Sequence, residues 1–139
     1  LHEAREGGAM SFQMFSALHL HALDSHEIKD NQNKAKIIID AMRDMRSWIR
    51  KFPLKPGETA LRVAPSLEKT AFDYYYRGAY DDWWDQESTN QASRLSRHAD
   101  VPIVLACGFY DNFIGATLDY YLEIKKQNKS PVSIILGPW

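Results

Sequence analysis

The apolar positions of this chain come in two styles. Along residues 9–24, AMSFQMFSALHLHALD, Phe12, Phe15 and His19 recur at helical spacing, with Met14 and Leu18 on a neighbouring stripe. That breadth predicts a helix covered on more than one side. Residues 33–51 are more regular. Ile37, Ile38, Ala41, Met42, Met45, Trp48 and Ile49 make one broad apolar face, while Lys34, Lys36, Asp40, Arg43, Asp44 and Arg50 mostly take the other. Two such helices close in sequence predict an antiparallel pair. Pro53, Pro56, Gly57 and Pro65 then break the period, so 52–70 is expected to cross irregularly with at most a short helical turn. An aromatic-rich stretch follows, FDYYYRGAYDDWWDQES, within which 81–86 reads as a short helix.

From residue 100 the style changes. VPIVLAC and PVSIILG are continuous apolar runs, as expected for strands covered on both faces. GATLDYYLEIKKQ between them is helical, with Leu118, Tyr121, Leu122 and Lys125 on one side. Strand, helix and strand in this order predict a right-handed βαβ unit of a parallel sheet. The fold class is therefore α/β, with a helical region over 1–99 feeding a βαβ piece over 100–139. One βαβ unit leaves strand edges unpaired and faces in need of cover, so the chain is expected to be part of a larger sheet protein.

Composition narrows the function classes. The 139 residues are 45% hydrophobic and 25% charged with a net charge of −1, ordinary for a soluble globular protein. Nothing in that balance attracts nucleic acid or an anionic membrane. No apolar run approaches the roughly 20 residues that span a bilayer, and the opening LHEAREGG lacks the pattern of a signal peptide. Neither nucleic acid nor membrane is expected as a partner, the cytoplasm is the favoured compartment, and homo-oligomerisation is left open. Cys107 is the single cysteine. It gives no disulfide framework and reads as a small buried hydrophobe at a strand end. His19 and His21 lie on different faces of their helix, and no HExxH pattern accompanies them, so no metal is expected. His98, among Arg94 and Arg97, reads as exposed.

The chemistry-bearing stretch is GFYDNF, 108–113. Asp111 sits just beyond the first strand, at the carboxyl edge where open α/β sheets gather ligands. Position alone leaves two readings open: a working carboxylate, or a turn or cap residue. Asn112 is also placed to cap the next helix.

GFYDNFIGATLDYYLEIKK resembles the acid-bearing segment of the cocaine-esterase-like and X-prolyl dipeptidyl-peptidase-like serine hydrolases (CocE/NonD type). IILGPW looks like that family's next strand, which ends Gly-Pro-Trp and continues through Ser or Thr to His. YDDWWDQES is similar to its Tyr-Asp-x-(Phe/Tyr/Trp)-Trp segment, and GGAMSFQMFSAL looks like its first cap helix. The resemblance implies a fragment of an α/β-hydrolase, with a helical cap region over 1–99 and a core segment over 100–139. It makes Asp111 the acid of a Ser-Asp-His triad, in the chain order usual for that fold. The serine would precede the cap and the histidine would follow just past Trp139. Within the chain, Gly8-Ala9-Met10-Ser11-Phe12 fails the Gly-x-Ser-x-Gly elbow at its last position.

By the same resemblance Phe113 lines the acyl pocket, with plain packing as its alternative. Phe15 and Leu18 face either substrate or core, and Trp83 and Trp84 brace the cap against the sheet. The implied partners are a small-molecule ester or amide, or a peptide, and the rest of the same polypeptide. Members act on esters, acylated β-lactam-type amides or X-Pro peptides, with no metal or organic cofactor. The chain alone is then expected to be inactive. The alternative of another class is a non-catalytic helical interaction module with an appended βαβ unit, in which Asp111 is only a cap. A receiver-like α/β domain would need more strand–helix repeats and acidic strand ends than the first hundred residues contain.

Overall fold

Helical and strand-forming sequence stay apart in the fold as they do along the chain. The computed structural model describes residues 5–6, 9–86 and 90–139. Gly7 and Gly8 of the opening motif, and Glu87 and Ser88 of the aromatic segment, lie outside the described residues. Packing divides the chain into two units, between Gly78 and Ala79.

The first unit opens with a short antiparallel pair, β1 (Arg5–Glu6) and β2 (Ala9–Met10). Helix α1 (Phe12–Asp24) begins three residues later than the apolar pattern suggested, because residues 9–10 are spent on β2. Helix α2 (Gln32–Arg43) is started by Asn31, whose side chain accepts a hydrogen bond from the Lys34 amide at 3.1 Å. That satisfies one of the amides left without a partner in the first turn. The predicted helix over 33–51 is broken. At Asp44 the backbone leaves helical geometry (φ −122°, ψ 52°), and α3 (Met45–Ile49) starts afresh. Aspartate is a poor helix-interior residue, so the break falls where propensity is weakest.

The segment 52–70 holds more helix than expected: a 3₁₀ helix over Ala60–Val63, then α4 (Pro65–Tyr76). Pro65 occupies the first turn, where its missing N–H costs nothing and its fixed φ suits a helix. It starts the element it was expected to interrupt. Gly57 has φ +80°, and its amide donates to the Glu68 carboxylate at 3.1 Å. The Thr59 hydroxyl donates to the same carboxylate at 2.6 Å, which ties the crossing to α4. Helix α1 contacts α2 and α4, and both of those contact the 3₁₀ helix. Between them Ala22, Ile28, Ile38, Leu61 and Phe72 are buried. Each large apolar side chain so removed from water contributes about 1.5–3 kcal/mol.

The second unit starts in irregular chain. Residues 81–86, expected as a short helix, make only a turn in which the Trp84 and Asp85 amides donate to the Asp81 carbonyl. Trp83 and Trp84 stack edge to face with centroids 4.7 Å apart. Asp85 accepts from Ser93 Oγ at 2.8 Å and from Arg94 at 3.0 Å, tying this turn to a 3₁₀ helix over Ala92–Arg97. Strand β3 (Ile103–Gly108), helix α5 (Ile114–Gln127) and strand β4 (Val132–Gly137) follow as the pattern predicted. The strands pair in parallel, Ile103 with Val132 through to Gly108 with Gly137. The unit is thus a mixed helix-and-parallel-sheet arrangement of α/β type.

Burial of the strands differs from expectation. It alternates: Ile103 and Leu105 are half-buried, whereas Val104, Ala106, Ser133 and Ile135 are exposed. One face packs against α5, whose buried anchor is Ile124 rather than the exposed Leu122. Asp100 holds the other end of the unit, accepting from the Ser130 amide at 2.8 Å and the Lys129 amide at 3.1 Å. Those bonds, the one from Ser130 foremost, favour the charged form and hold its carboxyl below the usual range.

Candidate functional site

The carboxyl ends of both strands are glycines, Gly108 and Gly137, aligned in register. Both are buried, and both are needed as glycine because Trp139 lies on them. A Cβ on Gly108 would collide with the Trp139 carbonyl oxygen, and one on Gly137 with its indole ring. The chain leaving β3 is stitched to the chain leaving β4. The Phe109 amide donates to the Gly137 carbonyl at 2.8 Å and the Tyr110 amide to the Trp139 carbonyl at 3.3 Å. Asp111 therefore follows directly on a residue bonded to Trp139.

The next turn is shaped by Asp111 itself. Its Oδ1 accepts from the Phe113 amide at 2.9 Å, its carbonyl accepts from the Ile114 amide at 3.2 Å, and its own amide donates to the Gly108 carbonyl at 3.3 Å. This is an Asx turn, in which a short carboxylate stands in for a backbone acceptor. Phe113, not Asn112, takes the N-cap position of α5, and it makes no side-chain cap bond. Asp111 is exposed, and among the described residues its Oδ2 has no hydrogen-bond partner. One oxygen shapes the loop and the other is left for a donor. Around it stand exposed rings: Phe109, Phe113, Trp139 and Tyr110, the last 85% exposed.

The remaining candidates separate cleanly. Phe15 and Leu18 are buried in the helical unit, so packing accounts for both. Cys107 is buried, with Sγ 3.7 Å from the Gly108 carbonyl oxygen, as a small apolar residue. His98 is exposed, and its Nδ1 lies 2.8 Å from the Ala99 carbonyl. His21 and His26 are exposed while His19 is buried, so the three do not converge. Among the described residues no group of three His, Cys, Asp or Glu is placed to hold a metal.

His19 was under-read by sequence. Its ring lies against Trp48 with centroids 4.0 Å apart, and its Nδ1 is 3.1 Å from the Phe15 carbonyl oxygen. Burial disfavours the imidazolium and pushes its pKa below the ordinary histidine value, against the smaller opposing effect of the Phe15 carbonyl. Its helical spacing with Phe12 and Phe15 was the available signal. Thr59 is likewise buried, satisfied by Glu68, a partnership that no local pattern announces.

No curated protein and no solved structure matches the chain. The family model described as X-Pro dipeptidyl-peptidase (S15 family) matches it over residues 1–139, its whole length. The order and spacing of 80–84, 108–113 and 137–139 agree with that match. The chain belongs to the X-Pro dipeptidyl-peptidase (S15) family.

Proposed function

We propose that the protein works as part of a serine hydrolase that cleaves ester or amide bonds, X-Pro peptide bonds among them. Asp111 is the acid of its Ser-Asp-His triad. Family membership supports a serine peptidase or hydrolase parent. The observation that carries the finer reading is the position of Asp111. It stands at the carboxyl edge of the parallel pair, bonded neighbour to neighbour with Trp139, with Oδ2 uncommitted among the described residues. A histidine reached by the chain soon after Trp139 would emerge beside that oxygen.

In this reading residues 1–99 form the helical cap region and 100–139 the core segment, and the serine and histidine belong to the rest of the polypeptide. The Asp111 carboxylate accepts the imidazole Nδ1–H, which leaves Nε2 as the base for the serine hydroxyl. The serine oxygen attacks the substrate carbonyl as its proton passes to Nε2. The resulting imidazolium is stabilised by the carboxylate, then returns the proton to the leaving alcohol or amine. Water repeats the sequence to release the acid. Phe113, held at the mouth of α5 by the Asp111 turn, presents its ring to the acyl group. The chain's partners are then an ester, amide or peptide substrate and the remaining polypeptide.

The Asx turn favours a second reading, in which Asp111 only shapes a loop and the chain is a helical interaction module. Asparagine separates the two. In Asp111→Asn the amide oxygen still accepts from the Phe113 amide, so the loop survives, but the imidazole is held in the wrong tautomer. The full-length variant should bind substrate normally and lose kcat toward an Ala-Pro p-nitroanilide or a p-nitrophenyl ester by about 10⁴-fold, the loss typical of this change. A variant within a few-fold of the parent's kcat would leave Asp111 only its turn.

A further inference from the structure

The helical unit contains a cavity of about 330 Å³ beside α2, α3 and the 3₁₀ helix, at the small end of the ~300–1,000 Å³ usual for small-molecule sites. Phe15, His19, Trp48 and Thr59 line it and are all buried. His19 is only 1% exposed. A carbonyl can only accept, so the neutral ring must carry its proton on Nδ1, facing Phe15, and hold a lone pair on Nε2. Among the described residues that nitrogen has no hydrogen-bond partner. A buried acceptor left so is costly unless something donates to it.

The rest of the lining says what kind of donor. Trp48 and Phe15 supply aromatic walls, set edge to face with centroids 5.9 Å apart. Asp40, Asp44 and Glu58 line the cavity against Lys51 and Arg62, three carboxylates to two cations, so it selects no strongly charged group. Asp40 is already engaged by Lys36 at 2.6 Å, and Arg62 by the Thr59 carbonyl at 2.9 Å. We infer that this cavity binds a small aromatic molecule carrying one neutral hydrogen-bond donor, its ring against Trp48 and Phe15 and its donor bonded to His19 Nε2. The inference is independent of the Asp111 reading.

Benzyl alcohol is a suitable probe and toluene, of similar shape without a donor, its control. In ¹⁵N-histidine-labelled full-length protein, long-range ¹H–¹⁵N spectra should give His19 as the Nδ1–H tautomer. Benzyl alcohol should move the Nε2 resonance upfield saturably and bind about tenfold tighter than toluene, the worth of one ordinary hydrogen bond. Ala41→Phe, at a half-buried lining position on α2, should abolish the response while the Nδ1 resonance stays in place. Ser47→Leu fills the cavity from α3 if the first variant does not fold. An Nε2 resonance unmoved by benzyl alcohol, moved equally by toluene, or still responsive in a filled variant that keeps the Nδ1 signal, overturns the inference.

Discussion

Two residues in this chain are set by what one of their atoms is left to do. At Asp111 one oxygen closes a turn and the other is uncommitted, and the turn in turn fixes Phe113 at the start of α5. If Phe113 walls the acyl pocket, Phe113→Ala should cut kcat/KM for a bulky ester about 10–200-fold, mostly through KM, with a much smaller effect on a small acyl group. Equal losses for both substrates would return Phe113 to simple packing. At His19, burial makes the neutral ring the folded form. Below the ordinary histidine value of about 6.5 the unfolded chain takes up a proton that the folded chain resists. The contribution is therefore complete above that value and is lost as pH falls through it toward the lower folded value. Urea midpoints at pH 7.5 and 5.5 should fall more in the parent than in His19→Phe; equal falls would contradict this. Asp111 was legible in the sequence because a carboxylate directly after an apolar strand is conspicuous. The orphaned nitrogen of His19 was not, since spacing tells which face a residue takes but not which of its atoms finds a partner.

Elements were legible where their period was unbroken: α1, α2, β3, α5 and β4 all stand where the pattern put them, within a few residues. The failures have physical causes. Pro65 reads equally as a breaker and as a helix start, and only the packing of α4 chose between them. The apolar strands suggested cover on both faces, but cover depends on neighbours that a run of Val, Ile and Leu cannot specify. Two links between elements are testable. Glu68→Ala removes the acceptor for the Gly57 amide and the buried Thr59 hydroxyl, and should lower unfolding free energy by about 1–3 kcal/mol in denaturant titrations. An unchanged midpoint would mean that the crossing is held by other contacts. Gly108→Ala places a methyl where the Trp139 carbonyl lies and should push the two strand exits apart. Since a misplacement of about 1 Å can cost on the order of a hundredfold in rate, the full-length variant should lose activity on that scale while its helical unit melts as before. Retained activity would show that the stitch between Tyr110 and Trp139 does not position the site.

On the scale of the molecule, a helical unit and a parallel βαβ unit share one chain, and the sheet of the second offers Val104 and Ile135 on an exposed face. Apolar strand faces seek cover. The 139-residue chain by itself should therefore self-associate in sedimentation velocity as its concentration rises, and Ile135→Lys should reduce that association. A monomer at every concentration would mean the face is tolerated in water. Family membership and the α/β arrangement could be read from ordered motifs alone, because those motifs sit at strand exits where chemistry constrains the residue type. The division between Gly78 and Ala79 could not, because it reflects which helices pack together. What unites the scales is the claim that the rim of this sheet delivers a carboxylate to a histidine supplied by the same polypeptide. The most direct measurement is a crystal structure of the full-length protein. The account predicts an Asp111 carboxylate oxygen within about 2.6–3.2 Å of the Nδ1 of a histidine that follows closely on Trp139. A carboxylate bonded only within its own turn, with no histidine ring in reach, would contradict it.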